Sequence, residues 1–227
     1  MTNVNDEVFK AKRKPKNPIK FQITLNEEQK RAKSIILDNP ITVLKGMAGS
    51  GKTLVACQVA LDMLFNKEVD KIVITRPTVS KEDIGFLPGD IKEKMDPWLA
   101  PIYHNLYALY NKEKVDKEIE LGNIEIVPFA FVRGRTFVNN FIIVDEAQNV
   151  TPHEMKMFLT RIGSNCKVIL NGDIQQSDLN ETSGLSKAIH IAKKHLIPVP
   201  VVEFTADDIV RSDLCKQWIV AFMKEGL

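Results

Sequence analysis

The eight residues Gly46-Met47-Ala48-Gly49-Ser50-Gly51-Lys52-Thr53 follow the spacing G-x-x-x-x-G-K-[ST]. Glycines in that pattern let the backbone curl until successive N–H groups face one anion, and a helix starting behind them adds the partial positive charge of its first turn. Extended by Leu54, such a loop would cradle the phosphates of a nucleoside triphosphate, with Lys52 reaching the β- and γ-phosphates and Thr53 ligating Mg2+. The surroundings suit the motif, since a β-branched stretch at 41–44 precedes it and a helical pattern follows. The competing reading is a glycine-rich turn that holds nothing.

A second constellation closes the apolar run Phe141-Ile142-Ile143-Val144 with two acids, Asp145 and Glu146. At a strand tip, Asp145 would hold Mg2+ through water. Glu146 could orient and deprotonate an attacking water, which points to hydrolysis rather than phosphoryl transfer to a small acceptor. A third strand end, Leu170-Asn171-Gly172-Asp173-Ile174-Gln175-Gln176, delivers further polar groups. Asp173 and Gln176 are candidate γ-phosphate sensors, because a hydrogen bond made to ATP and not to ADP can start a movement. An Asn-Gly-Asp turn without a ligand is the alternative.

Positioning these groups calls for an α/β domain. Short β-branched runs alternate with longer amphipathic segments, the pattern of parallel strands joined by crossover helices. Strands are expected at 41–44, 71–75, 124–127, 141–144, 167–170 and 199–204, with helices near 52–66, 92–110, 152–162, 182–194 and 212–224. An earlier helix opens at Asn26, which can cap it with Gln29 at the third helical position, and ends at Asn39-Pro40. Ligands are expected at the carboxyl edge of the sheet. The stretch 80–123 is the least regular, with turn signals at Gly85, Pro88-Gly89 and Asp96-Pro97 and a charged run from Lys112 to Glu120, and reads as a helical insertion.

The chain has 227 residues, 44% hydrophobic and 26% charged, which fits one globular domain at 21–227 behind a basic tail at 1–20. That tail holds Lys10, Lys12, Arg13, Lys14, Lys16 and Lys20, and is either a solvated arm or a contact for nucleic-acid phosphates. No apolar run approaches the roughly 18 residues of a membrane span, so a cytoplasmic protein without a membrane anchor is expected. Cys57, Cys166 and Cys215 are far apart and the four histidines have no metal-ligand spacing, so neither a disulfide framework nor a structural metal is expected.

Taken together, these motifs resemble the PhoH-like family of RecA-like P-loop ATPases, which is similar to superfamily-one helicases. The likeness covers 25 to about 220 and rests further on Thr75-Arg76-Pro77, Gly85-Phe86-Leu87-Pro88-Gly89, Arg133-Gly134-Arg135-Thr136 and Asp145-Glu146-Ala147-Gln148-Asn149. The resemblance implies a mostly parallel sheet with helices on both faces. It implies that Gln29 reads adenine, where the residues alone suggest no more than a helix cap. It makes Gln176 a coupling sensor and Arg211, after Asp208-Ile209-Val210, an arginine finger, where the residues alone suggest a surface or capping arginine. Arg133 and Arg135 are left open between phosphate, nucleic acid and a neighbouring acid.

The resemblance also implies the partners. Helicases of this type clamp ATP between two RecA-like domains, whereas this chain holds one, so a homo-oligomeric ring is expected, a hexamer by the resemblance, with Arg211 of one protomer serving the next. The expected activity is Mg2+-dependent ATP hydrolysis coupled to single-stranded RNA or DNA, as a helicase or remodelling motor. Aromatic content is only 7%, which leaves few residues for stacking bases; Tyr103, Tyr107 and Tyr110, with helical spacing, read as core or interface packing. An ATP-gated ring acting on a protein partner is the second reading. A ribonuclease domain, which some family members carry, is not expected.

Overall fold

The computed structural model describes residues 19–47, 49–77, 91–132, 134–179, 182–210 and 212–225. Six strands form one parallel sheet: β1 (Ile41–Gly46), β2 (Lys71–Arg76), β3 (Ile124–Pro128), β4 (Asn140–Val144), β5 (Lys167–Gly172) and β6 (Val201–Phe204). Their spatial order is β3-β2-β4-β5-β1-β6, so β5 lies between the strand that feeds the glycine-rich loop and the strand that ends in the two acids. All six strand regions expected from sequence are present. β1, β2, β3 and β5 run one or two residues further toward the carboxyl edge than their β-branched cores, because neighbouring strands hold their backbones in register there.

Seven helices accompany the sheet among the described residues: α1 (Glu27–Asp38), α2 (Lys52–Phe65), α3 (Ile91–Leu109), α4 (Lys112–Glu120), α5 (Pro152–Leu159), α6 (Gly184–Lys194) and α7 (Asp213–Lys224). Crossover helices need cover on both sides, and successive strand residues supply it. Leu44, Ile72, Ile74, Phe141, Ile143 and Ile169 enter one buried cluster with α1 to α4, while Val43, Val73, Ile142, Val144, Val168 and Leu170 enter another with α5 and α6. Phe141 to Val144 are therefore all buried, which explains an apolar run without alternation.

The helix α3 runs through the turn signal Asp96-Pro97, and the charged run that follows is the helix α4, capped by Asn111. This helix falls within the stretch 80–123 read as a helical insertion, and of its nine residues only Val115 is buried. Tyr103, Tyr107 and Tyr110 pack against the cluster under α3, and Tyr107 donates to Asp116 Oδ1 at 2.6 Å. Cys57 and Cys166 are buried packing residues. Arg135 donates to both oxygens of Glu125 at 2.7 and 2.9 Å, so the acidic-neighbour reading holds for it. No helix among the described residues is long and apolar enough to cross a membrane. The tail at 1–18, Ala48, the Gly85 to Gly89 string, Arg133 and Arg211 lie outside the described residues.

Candidate functional site

The loop between β1 and α2 is shaped by what its glycines avoid. Gly46, at φ +142°, closes β1 against β6, where an added Cβ would stand 2.3 Å from Phe204 O. Gly51, at φ +82°, occupies the left-handed region and leaves 2.4 Å between an added Cβ and Gln29 Nε2. With Gly51 as its N-cap, α2 has no side-chain cap, so the first-turn N–H groups of Lys52, Thr53 and Leu54 have no intrahelical acceptor. Such a terminus suits an anion.

Two flanking elements hold the outer side of this loop. Gln29 completes the cap of α1 with Asn26, and its Nε2 also donates to Ser50 O at 3.3 Å. The side chain thus does both jobs, capping its own helix and bracing the loop. From the far end of the chain, Val210 N donates to Gly49 O at 3.0 Å. Ser50, fully buried, donates to Met47 O at 2.9 Å.

Lys52 Nζ donates to Gly46 O and Met47 O at 2.7 and 2.6 Å. Burial depresses its pKa, against the opposing pull of Asp173, Glu146 and Asp145. The ammonium therefore sits where its charge is costly and where further negative charge would be welcome.

Across the floor, Thr53 Oγ1 donates to Asp145 Oδ1 at 2.9 Å, and Asn171 Nδ2 lies 2.9 Å from both oxygens. This triangle joins α2, β4 and β5, which is possible because β5 stands between β1 and β4. Asn171 Oδ1 is buried with no hydrogen-bond partner among the described residues. A hydroxyl, a carboxylate and an unsatisfied amide oxygen form a hard oxygen set of the kind Mg2+ takes, directly or through its waters. The residues present fit that ion.

Burial raises the Asp145 pKa, with Glu146 as the next cause, while Thr53 and Asn171 oppose. With a folded pKa above the unfolded one, the stability linked to Asp145 is present below the unfolded value and lost as pH rises through the folded value. Asp145→Asn keeps an oxygen to accept from Thr53 and Asn171 without the buried charge. We expect it to raise the melting temperature of the ligand-free protein at neutral pH, by about 2–4 °C per kcal/mol recovered. The gain should shrink as pH falls toward the ordinary carboxylate range. A lower melting temperature at neutral pH would contradict this account.

Glu146 follows with φ 51° and ψ 40°, a left-handed conformation uncommon for a residue bearing a Cβ. Its Oε1 lies 3.3 Å from Arg76 Nη2 and its Oε2 accepts from Gln148 Nε2 at 2.7 Å. Gln148, fully buried, accepts from Asp173 N through Oε1 at 3.1 Å, tying the end of β4 to the end of β5. The acids and the loop share a cavity of about 580 Å³. Gln29, Gly49, Gly51, Lys52, Thr53, Leu54, Asp145, Glu146, Asp173 and Gln176 all line it, and Gly46, Met47 and Ser50 shape its loop. Ile23, Thr24, His104, Asn105, Ala108 and Val210 line it as well.

The sequence reading missed Asn171, Arg76 and Gln148 as site residues. Each stood in a string already singled out, so position within a motif was the available signal. Their pairings needed the strand order. His104 and Asn105 had no signal, because α3 reaches the cavity only through its packing on α2.

A family model described as PhoH-like protein matches residues 23–223. Protein PhoH of Escherichia coli (strain K12) is 44% identical over 202 residues, 87% of this chain and 57% of that protein. A PhoH-like protein of Synechocystis sp. is 43% identical over 190 residues, covering 82% and 58%. The chain thus spans a little over half the length of these curated relatives. Among solved structures, the Sulfolobus solfataricus SWI2/SNF2 ATPase core in complex with dsDNA superposes with a TM-score of 0.47 at 16% identity, over 83% of this chain and 46% of that one. On the family match and these identities, the chain belongs to the PhoH-like family.

Proposed function

We propose that this chain binds Mg-ATP in the cavity between the loop and the acids and hydrolyses it, in step with binding of single-stranded nucleic acid, RNA by preference. The observation that carries this reading is the Thr53, Asp145 and Asn171 triangle beside Lys52, where a phosphate cradle and a hard-cation seat adjoin. The Lys52 ammonium and the first-turn N–H groups of α2 hold the terminal phosphates. Thr53 and Asp145 hold Mg2+, which when bound neutralises charge developing on the β- and γ-oxygens. Glu146 takes the proton of the attacking water. Asp173 and Gln176, at the end of the strand next to the triangle, report the presence of the γ-phosphate, and Gln29 faces the base.

A homo-oligomeric ring, six-membered by family resemblance, is the assembly we favour, with Arg211 supplying the transition-state charge. An arginine in that role is worth roughly 10³ to 10⁵ in rate. Retention of full specific activity on dilution to a demonstrated monomer would exclude supply between protomers.

One observation favours a second reading, an ATP-gated ring that grips a protein partner. Leu214, Trp218 and Phe222 recur every fourth residue on α7 and are 65, 60 and 49% exposed. Such a stripe marks an interaction face.

Steady-state Mg-ATP hydrolysis, with and without single-stranded RNA at low and moderate salt, separates the two. Stimulation that weakens as salt rises supports the nucleic-acid motor, since phosphate contacts release counterions. Unchanged turnover at RNA concentrations that saturate binding, or no binding, selects the protein partner.

A further inference from the structure

We propose that Gln148 is a positioning residue for the reaction: its amide, anchored on the backbone at the end of β5, aims the Glu146 carboxylate at the attacking water. This rests on the reading of Glu146 as the general base and concerns how that base is held.

A base must be aimed as well as charged. It has to come within about 2.6–3.2 Å of the group whose proton it takes, or act through one water. A displacement of about 1 Å can cost roughly 10²-fold in rate. Glu146 lines the cavity with its side chain 37% exposed, and a glutamate left to itself moves among many rotamers. Gln148 Nε2 donates to Glu146 Oε2 at 2.7 Å, which stops rotation about the last side-chain bond. This contact is shorter than the 3.3 Å between Oε1 and Arg76 Nη2.

The donor is itself fixed. The Asp173 N–H can only donate, so the amide oxygen of Gln148 must face it, and it accepts at 3.1 Å. That contact turns the NH2 group toward Glu146, because a flipped amide would set donor against donor at Asp173. Gly172, the last residue of β5, leaves room for the amide only by lacking a side chain: an added Cβ would stand 2.6 Å from Gln148 Oε1 and 3.0 Å from Gln148 N. The loop after β5 holds the same turn at further points. Ser177 Oγ donates to Gln148 O at 3.2 Å, Asn149 Nδ2 donates to Asp178 Oδ2 at 2.8 Å, and Asp178 N donates to Asn149 Oδ1 at 2.9 Å. The anchor of the base is thus the loop that carries Asp173 and Gln176.

A buried amide needs partners wherever it lies, and a tie between β4 and β5 would be reason enough for one. Two features go further. The tie to Asp173 uses only the acceptor half of the amide, and the donor half goes to the carboxylate. The backbone between them is also unusual, since Glu146 adopts φ 51° and ψ 40° directly before the short turn Ala147–Asn149. Conformations of this kind persist where the surroundings over-determine them, and they cluster at active sites. Gln148 is fully buried and is not among the described residues that line the cavity, so its route to the nucleotide runs through Glu146.

The test is a double-mutant cycle on Mg-ATP hydrolysis by the full chain, in steady state and over long single-turnover incubations. Gln148→Met keeps the length and apolar bulk of the side chain without the donor. It should lower kcat by roughly tenfold to 10²-fold. KM for ATP should not change, and the rise in melting temperature produced by Mg-ADP should match that of the wild type. In a Glu146→Gln background the same substitution should change the residual rate by less than about twofold, because the group it positions is gone. An equal fold loss in both backgrounds makes Gln148 a structural residue and overturns the proposal. So does a Gln148→Met protein with unchanged kcat, or one whose loss lies in KM or in the nucleotide-induced shift. If Gln148→Met does not fold, Gln148→Asn takes its place in the cycle with the same outcomes, since it keeps the amide but is one bond too short to span Asp173 N and Glu146. A Glu146→Gln protein with wild-type turnover removes the underlying reading itself, whereas one with a reduced rate confines any failure to Gln148.

Discussion

Lys52→Ala is expected to lose ATP turnover by at least 10² to 10³, the usual consequence of removing one preorganised donor from a developing charge. The ligand-free protein should nevertheless stay folded. In the resting site the ammonium is held by two backbone carbonyls and its pKa is depressed by burial. A depressed folded pKa means that stability linked to Lys52 is present above the unfolded value and lost as pH falls through the folded value. Near neutral pH the charge is thus a stability cost, and its removal should leave the melting temperature equal or higher. The diagnostic is the shift produced by nucleotide. For the wild type, Mg-ADP at a hundred times Kd contributes about 2.7 kcal/mol, a rise of several degrees. Lys52→Ala should show little or none at that concentration. A variant that melts normally and still shows the full shift would remove Lys52 from the phosphate site.

Glu146→Gln is expected to do the opposite to binding while matching the loss of turnover. The amide retains the size of the carboxylate and its oxygen can still accept from Gln148 Nε2, but its NH2 cannot accept from Arg76 and it cannot take a proton. Nucleotide-induced stabilisation should stay near that of the wild type, and kcat should fall by about 10² to 10⁴. Turnover at the wild-type rate would take the base role away from Glu146. The pair of variants separates holding the phosphate from activating water, which neither does alone.

The two substitutions differ in how much of the evidence behind them lies along the chain. Gly46 to Thr53 is a contiguous device: its glycine spacing, the strand before it and the helix after it are all local, so its candidacy as a phosphate loop could be read without coordinates. The same is true of Asp145 and Glu146, which follow a run of four apolar residues whose burial on both sides marks a central strand. Local periodicity likewise revealed the six strands and most helices. It marked no separate helix where burial is thin, at α4, which read only as part of a helical insertion, and Asp96-Pro97 gave a turn signal within a helix that continues.

Strand order was not local. A parallel sheet can arrange six strands in many ways, and only long-range packing places β5 between β1 and β4, bringing Asn171 to Thr53 and Asp145 across gaps of 118 and 26 residues. Gln29 illustrates the same division. Its place at the third position of α1 marked it as a cap, yet its reach to Ser50 depends on where α1 packs beside the loop. Arg76 was visible as part of Thr75-Arg76-Pro77, but its partner Glu146 lies 70 residues away, just beyond the end of the adjacent strand. Sequence by itself determined which groups could bind phosphate, seat a metal ion or activate water, because those capacities reside in short runs of residue types. Tertiary structure alone decided which groups meet, because contacts between strands are selected by the burial of whole faces and not by the residues that carry the chemistry.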